Sequence, residues 1–576
     1  MKQGSTHQHS IKENRIARKA SLTDRRHFLE FIDGSPGGDG PSRWRNWWIA
    51  AMACLILAGG LVRIGNLSSV VSRSPDERTY AWEGRTVQEQ GMAGIRTLVQ
   101  RFQQDPTLFS FPTPGRAGYI LLVAKMMDIT GLKDERAGAY LSAIASVLSI
   151  ILLGYLGWRL FNPATGMIVM LLYAFSPIEL ALARRAWQDA LVECLVTAMV
   201  VITLRITQGA RDRIWYVLLA VLGGIGVVVK EVSVISFGLC GLWILWVLAE
   251  KKEWKESLTL AIISLVGLGI GILWVGSALG GVKIFVDFFA ATLVDPRYVQ
   301  YGNEYESGPA YLLLEAIWFL SPVLVIFSVF GIGQLFKRSE RSVPIAAQSR
   351  REPLFLSLFV FTYIALSIFS PHRLNLRYVS AAIGPAYLLA AYGISAALFW
   401  ARSKMQNADA RVVVAGLFGV LLLPVIHDYG TFQSKIVEGG IPDLSVKMIL
   451  DTTTYANTPA EANTRSVPKP DVSGAERAAR QSPNADNYLD LSMAYYNAGR
   501  FQDCITASRE ALRLSPGLAA AHNNMAAAYQ SISQWDSAIA EANEALRIDP
   551  HFQLAKNNLE YALSQKNIHT PSNITR

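Results

Sequence analysis

Charged side chains stand at the ends of several long apolar runs, and these are the residues best suited to chemistry. They are Asp76, Glu77, Arg185, Asp189, Lys230, Arg373 and Arg377. A charge within a membrane span costs about 2.5–3.5 kcal/mol on insertion scales, so such residues need a function or a partner. Carboxylates can accept a proton from an attacking hydroxyl or amine, and lysine and arginine can bind phosphate. Together these side chains predict a site for an anionic, lipid-linked substrate.

The residue types suggest separate roles within such a site. We expect Asp76 to act as the base, and Glu77 or Asp189 to orient the substrate or to help hold a metal. Three cations are candidates for stabilising a phosphate leaving group, namely Lys230, Arg373 and Arg377. No His/Cys group has the spacing of a zinc site, and no glycine-rich phosphate loop precedes a helix. A cytoplasmic nucleotide donor is therefore not indicated.

Structural explanations for the same residues stay open. Asp76 and Glu77 are also consistent with a solvated loop, and Lys230 with an anchor at the membrane interface. Arg185 could extend its charge to the interface from an apolar run, and Asp189 could pair with a basic neighbour for structure alone. The functional interpretation therefore depends on these charges lying on one side of the membrane.

The composition indicates a membrane protein. Of 576 residues, 17% are charged and 51% are hydrophobic, and the mean hydropathy is +0.25. Soluble domains carry about 25% charged residues, so a soluble enzyme, a disordered chain and a fibrous protein are all disfavoured. Four cysteines are too few for a disulfide scaffold. The net charge of +9 arises from short basic clusters between apolar runs, which is typical of membrane topology and does not indicate nucleic acid binding.

The apolar runs predict an all-α, polytopic bundle. A helix needs about 20 mostly apolar residues to cross a bilayer. About eleven segments qualify: 46–67, 136–158, 164–183, 190–208, 214–229, 232–249, 257–279, 309–336, 353–370, 377–400 and 411–427. No N-terminal signal peptide is visible, and the basic residues of 1–45 predict a cytoplasmic arm.

One short apolar run decides the topology. Residues 116–131 are interrupted by Lys125 and Asp128, so we interpret them as a helix lying at the interface. With the N-terminus inside, the loops rich in Lys and Arg then fall in the cytoplasm, as the charge rule requires. The long loops 68–135 and 280–308 and everything after 428 lie outside. The sequence thus predicts a multi-pass cytoplasmic (inner) membrane protein whose site and C-terminal tail are extracytoplasmic.

The C-terminal part contains an internal repeat. Residues 485–516 and 519–550 align with an offset of 34, which pairs Tyr495 with Tyr529 and Pro516 with Pro550. This is the period of the tetratricopeptide repeat. We predict a repeat domain over 484–566, which a partial third copy caps, between a linker at 431–483 and a tail at 567–576. The repeats could bind a peptide or protein partner, or could brace the outer loops or a dimer.

The motif PDERTYA (75–81) makes the chain resemble the polyprenyl-phosphate-dependent membrane glycosyltransferases of the C fold. Within this class, the chain resembles the aminoarabinose lipid A transferases and the protein O-mannosyltransferases. The resemblance covers roughly 45–430, and other motifs support it: Ser176-Pro177 followed by Arg185 and Asp189, Lys230 in VVVKE, and Arg377-Tyr378. The tetratricopeptide tail departs from these relatives, and PTPGRAGY (112–119) replaces the proline-rich, His-containing signature of the mannosyl enzymes.

The resemblance implies sugar transfer from a polyprenyl-phosphate donor to a lipid, glycan or protein acceptor on the outer face. It implies single displacement, with Asp76 as base and with Glu77 and Asp189 in the catalytic group. Lys230 and either Arg373 or Arg377 would hold the leaving phosphate. The sugar and acceptor pocket would include Tyr80, Arg185 and Tyr378. A divalent metal held by Asp76 and Asp189 is left open, and no other cofactor is implied.

Two alternatives come from different classes. A glycan ligase or polymerase acting on lipid-diphosphate-linked chains would rely on outer arginines such as Arg373, and would not need Asp76. A non-enzymatic membrane scaffold presenting the repeats would need neither. A transporter is disfavoured, because the sequence has no convincing internal hydropathy symmetry.

Overall fold

The computed structural model describes the chain in segments. They are 41–65, 67, 75–104, 113–294, 306, 308–336, 351–369, 373–404, 410–438, 441, 444–450, 472–497, 500–532, 534–550 and parts of 552–566. Residues 1–40 of the predicted arm at 1–45, and the tail at 567–576, lie outside the described residues, and 41–45 belong to the first helix. Two compact units, 1–452 and 453–576, divide the chain, and each is described by itself.

The first unit is built from α-helices. They are α1 Pro41–Ile64, α2 Pro75–Gln90, α3 Met92–Gln104, α4 Ala117–Thr130, α5 Glu135–Leu160, α6 Pro163–Ala174, α7 Pro177–Ala183, α8 Asp189–Thr207, α9 Arg213–Val229, α10 Ser233–Glu250, α11 Trp254–Leu279, α12 Val282–Val294, α13 Tyr311–Leu320, α14 Pro322–Phe336, α15 Arg351–Ile368, α16 Ser380–Lys404, α17 Ala410–Thr431 and α18 Val446–Leu450. Short 3-10 turns cover Thr113–Arg116 and Leu376–Tyr378, and a π-helical segment covers Phe432–Glu438.

In the described residues, each of the eleven predicted spans largely coincides with one helix or one bent helix pair. Six helices in the described residues are long and apolar enough to cross a membrane, namely α5, α8, α10, α11, α15 and α16. The number rises to eight if each of two bent helix pairs counts as one span, and α1 and α9 contain shorter apolar helices. The chain is therefore a polytopic, all-α membrane protein, as its composition predicts.

Both bent spans break at a Ser-Pro step. α6 and α7 meet at 62° before Pro177, and α13 and α14 meet at 112° before Pro322. Proline lacks an amide hydrogen and cannot continue a preceding helix. Each serine has a distant partner, because Tyr387 donates to Ser176 at 2.8 Å and Ser321 donates to Asp428 at 2.6 Å. Helix α7, which follows the first of these breaks, ends at Ala183, just before the charged residues Arg184 and Arg185.

The predicted interfacial helix is α4, with 14 residues. It is too short for a span and is absent from the candidate spans of the described residues. Its apolar face is buried and packs against α2, α5 and α9, while Lys125 and Asp128 are exposed and pair with each other at 3.4 Å. The packing against α9 brings α4 close to the C-terminal end of α9, which Lys230 directly follows.

A glycine permits this close approach. A Cβ atom at Gly118 in α4 would lie 2.7 Å from the carbonyl oxygen of Val228. We expect Gly118→Ala to push α4 away from α9 and to lower the free energy of unfolding by about 1–3 kcal/mol. Thermal unfolding of the detergent-solubilised protein would measure this loss. Gly238→Ala is the matched control, because it is also helical and a Cβ there meets nothing within 4 Å; equal melting temperatures for the two variants would contradict the contact.

The second unit consists of helix pairs with the predicted period. Its helices are α19 Val472–Gln481, α20 Ala485–Asn497, α21 Phe501–Leu514, α22 Ala519–Ser531 and α23 Trp535–Ile548. α20 and α22 start 34 residues apart, as do α21 and α23. Asn524 donates to Ser492 at 2.9 Å and so joins the two repeats. Helix α19 falls within the predicted linker and packs on α20 through Ala479 and Leu491.

Candidate active site

Four helix ends bring the predicted charges together. Asp76 lies in the first turn of α2, Asp189 is the first residue of α8, and Lys230 directly follows α9. Arg377 lies in the 3-10 turn just before α16. These termini meet in the first unit, so residues separated by as many as 301 positions become direct partners.

Asp189 is the centre of this group. Lys230 Nζ donates to its Oδ1 at 2.6 Å, and Arg377 Nε donates to its Oδ2 at 3.0 Å. Arg377 also reaches Asp76, with 3.1 Å between Nη1 and Oδ2. We call these four residues the charged cluster. Because both oxygens of Asp189 are bonded to cations, its carboxylate fixes the positions of Lys230 and Arg377.

The cluster has a buried floor and an accessible rim. The exposed fraction of the side chain is 1% for Asp189, 3% for Lys230 and 9% for Arg377, but 19% for Asp76. Burial lowers the pKa of the Lys230 ammonium below its ordinary value, and the attraction of Asp189 offsets only part of this effect. Asp76 is thus the most exposed member of the charged cluster, and Arg377 is the next most exposed.

A second ion pair, between Arg185 and Glu77, lies next to the charged cluster. Arg185 binds Glu77 through two hydrogen bonds, Nε to Oε1 at 2.8 Å and Nη2 to Oε2 at 2.6 Å. The amide of Ala186 also donates to Glu77, at 3.1 Å. Such two-point pairs are strong and geometrically specific. Since the Glu77 side chain is fully buried, this pair anchors the start of α2 to the segment before α8.

The Trp187 indole connects the two groups. The guanidinium carbon of Arg185 lies 4.2 Å from the ring centroid, and that of Arg377 lies 4.1 Å from it. Contacts of this type are worth about 2 kcal/mol or more when desolvated. Our sequence analysis did not identify Trp187, although its place between Arg185 and Asp189 in RRAWQD was a signal.

A third group lies beside Lys230 and joins the predicted pocket residue Tyr80 to Arg116, which was not predicted from the sequence. Arg116 binds Glu231 at 2.8 and 3.2 Å, and its Nη1 donates to the Tyr80 hydroxyl at 2.8 Å. Burial raises the pKa of Glu231, but Arg116 more than offsets this, so the pKa lies below its usual value. Burial raises the pKa of Tyr80 well above its ordinary range. The nearest sequence signal for Arg116 was its position in PTPGRAGY.

The remaining predicted residues divide into two cases. The Tyr378 ring lies over Lys230, with 4.9 Å between its centroid and Nζ, so Tyr378 contacts the charged cluster. Arg373 instead donates from Nε to the carbonyl oxygen of Gly308 at 2.8 Å. In the described part of the chain no hydrogen bond or ion pair joins Arg373 to the charged cluster. Of the three predicted phosphate ligands, Lys230 and Arg377 therefore lie together, and Arg373 lies apart from their ion pairs.

Backbone pairing holds the segment that carries Arg377. Asn375 and Ser445 form an antiparallel bridge, in which Leu376 donates to Leu444 at 3.0 Å and Val446 donates to Leu374 at 2.7 Å. The amide of Arg377 itself donates to the Asn375 side chain at 3.0 Å. Residues 444–446, which follow the last long helix of the first unit, thus help to position Arg377.

The carboxylates of the cluster face cations of the chain itself. No three His, Cys, Asp or Glu residues are grouped to hold a metal ion in the part of the chain that the structure describes. Asp76 and Asp189 both bind the guanidinium of Arg377, which lies between them. These two residues therefore do not form a metal-binding pair in this arrangement.

Comparison with known proteins gives one family match. The family described as dolichyl-phosphate-mannose-protein mannosyltransferase matches residues 118–276, a little over a quarter of the chain. This range contains Arg185, Asp189 and Lys230, whereas Asp76 and Arg377 lie outside it. No curated protein sequence matches the chain significantly.

Two crystal structures of ArnT from Cupriavidus metallidurans are similar to the chain. The one bound to undecaprenyl phosphate is 14% identical and has a TM-score of 0.47, covering 86% of this chain and 80% of that one. The apo structure is 14% identical with a TM-score of 0.41, covering 87% and 80%. The family match agrees with the predicted resemblance, and over residues 118–276 the chain is similar to the mannosyltransferases of that family.

Proposed function

We propose that the chain transfers a sugar from a polyprenyl-phosphate donor to an acceptor on the extracytoplasmic face of the membrane. The observation that carries this proposal is the charged cluster. It places one accessible carboxylate beside a buried lysine and an arginine that are held by a second carboxylate. A proton acceptor next to two cations suits the displacement of a phosphate leaving group by a hydroxyl or an amine.

The donor phosphate is assigned to Lys230 and Arg377. Both cations lie on Asp189, which keeps them side by side and within a poorly solvated environment. Fixed charges in such an environment stabilise developing negative charge more than they would in water. The sugar lies beside them against Tyr378 and Tyr80, and the lipid tail remains in the bilayer.

Asp76 is assigned as the base in a single displacement. Its carboxylate takes the proton of the acceptor as the acceptor oxygen or nitrogen forms a bond to the sugar C1. The bond between C1 and the phosphate oxygen breaks, and the phosphate leaves with the electron pair. Glu77 and Asp189, which the resemblance places in the catalytic group, are assigned to positioning, because their side chains are 0% and 1% exposed and are bonded to cations.

The orientation proposal comes from the charge rule. The basic loops Glu250–Glu256 and 337–352 are assigned to the cytoplasm, and the charged cluster lies at the opposite ends of the neighbouring spans. This orientation places the cluster and the repeat unit outside an inner membrane. The repeats are proposed to bind a protein or peptide partner there, which their concave stacking allows.

Lipid and glycan analysis of cells tests the function. Cells producing the full chain with Asp76→Asn should lose a sugar modification and accumulate the polyprenyl-phosphate sugar, because the base is absent. Glu89→Gln is the control, since Glu89 is an exposed carboxylate on the same helix and should leave the product unchanged. Mass spectrometry of lipids, glycans and proteins at equal membrane abundance provides the readout.

Other outcomes would overturn the proposal. Retention of the modification in Asp76→Asn, with loss in Arg373→Ala, favours the ligase acting on lipid diphosphates. Retention in both variants, with loss on deletion of 484–566, favours the scaffold.

A further inference from the structure

The proposed base is already occupied in this structure. Asp76 Oδ2 accepts a hydrogen bond from Arg377, the same residue that is assigned to the donor phosphate. While Arg377 Nη1 donates to Asp76 Oδ2, this nitrogen is not available to a donor phosphate and this oxygen is not available to an acceptor hydroxyl or amine. The two assigned roles therefore conflict unless the ion pair between Asp76 and Arg377 opens during the reaction.

Charge balance explains why the ion pair between Asp76 and Arg377 should open when the donor binds. In the ion pairs of this site, four carboxylates are each bonded to a cation: Asp76, Glu77, Asp189 and Glu231 to Arg116, Arg185, Lys230 and Arg377. An added phosphate brings an unbalanced negative charge into a largely buried group, which is costly unless a carboxylate gives up its cation. The accessible carboxylates are the candidates, namely Asp76 at 19% and Glu231 at 15% exposure.

The bonding pattern favours Asp76. Arg377 uses different nitrogens for its two carboxylates, Nε for Asp189 and Nη1 for Asp76. Nη1 can therefore change partner while Nε keeps the guanidinium in place. Arg116, by contrast, binds Glu231 through two nitrogens and Tyr80 through the third. Displacing Glu231 would break a two-point pair.

We propose that the donor phosphate takes the place of Asp76 on Arg377, and that this exchange of partners releases Asp76 to act as the base. The inference rests on the proposed function and adds an order to it. The donor binds first, and only the donor-bound enzyme activates an acceptor. The exchange makes and breaks no covalent bond.

Binding of polyprenyl phosphate to the purified full chain in lipid nanodiscs tests the exchange without a need for turnover. Asp76→Asn removes the competing charge and should tighten binding by about twofold to fivefold, the range expected for a partly exposed ion pair. Arg377→Gln should weaken binding. In the Arg377→Gln background the Asp76→Asn change should alter affinity by less than about twofold, because nothing is left to compete for.

Three comparisons make this test specific. Glu231→Gln, which removes the other partly exposed carboxylate, should leave the affinity for polyprenyl phosphate unchanged. Polyprenol, which lacks phosphate, should bind wild type and Asp76→Asn equally. If Arg377→Gln does not fold, Arg377→Lys replaces it in the test. The lysine side chain is shorter, and its single ammonium cannot bind both carboxylates as the guanidinium does.

The outcomes separate the exchange from the function. Unchanged or weaker binding by Asp76→Asn overturns the exchange, as does tightening of equal size in the Arg377→Gln background, which would indicate general charge repulsion. Tightening by Glu231→Gln alone would place the phosphate on Arg116 and also overturn it. Failure of wild type to bind polyprenyl phosphate more tightly than polyprenol would instead overturn the proposed donor.

Discussion

Replacing Lys230 with alanine should reduce sugar transfer by about 10²- to 10³-fold, the effect of removing one preorganised donor from a site of developing negative charge. The ammonium is buried, lies 2.6 Å from Asp189, and is covered by the Tyr378 ring. Its removal takes away a fixed cation at the leaving phosphate and leaves one oxygen of Asp189 without its donor. The rate of polyprenyl phosphate release by the purified chain at saturating donor measures the effect.

The control for Lys230 is Lys283→Ala. Lys283 is 86% exposed and pairs with Asp287 on the surface of α12, so its loss should leave the rate within about twofold. Lys230→Arg should recover part of the rate, because it keeps a cation near Asp189. A rate in Lys230→Ala equal to that of Lys283→Ala would remove Lys230 from the account.

Replacing Glu77 with alanine should destabilise the membrane unit by about 3–5 kcal/mol, the cost of removing one member of a buried ion pair. Arg185 is 3% exposed and loses both bonds to the carboxylate in this variant. The paired substitution of Glu77→Leu with Arg185→Met should cost less than Glu77→Ala alone, because no unpaired charge remains. Thermal unfolding in detergent gives the order of the variants.

The comparison with Asp76 decides the role of Glu77. Asp76→Asn should keep a nearly normal melting temperature, since its side chain is only partly buried. If Glu77→Ala unfolds at the wild-type temperature and loses only the rate, Glu77 is catalytic, as the resemblance implies, and the positioning role is wrong.

Much of the architecture could be predicted, because membrane constraints act along the sequence. Apolar length predicted the helices, and a 34-residue period predicted the helix pairs of the second unit. The short run at 116–131, broken by Lys125 and Asp128, predicted a helix too short for a span, and α4 has 14 residues. The sharp bend at Ser321 was not predicted, because the apolar run 309–336 continues through it.

The site could be predicted only in outline. The rule for charged loops placed Asp76, Asp189 and Lys230 on the same side, but it carries no information on which atoms meet. The bridge from Arg377 to both aspartates depends on contacts across 301 and 188 positions. The Arg116–Glu231 pair was missed for the same reason: each residue alone resembles an ordinary interfacial charge, and only the fold shows that they are partners.

The most direct test of the account is a cryo-EM structure of the full chain with polyprenyl phosphate in a lipid nanodisc. We predict a phosphate within hydrogen-bonding distance of Lys230 Nζ and Arg377 Nη1, with Asp76 turned from the guanidinium toward the side where an acceptor would enter. A phosphate bound at Arg373 or Arg116, with the ion pairs of Asp189 and Asp76 unchanged, would contradict it.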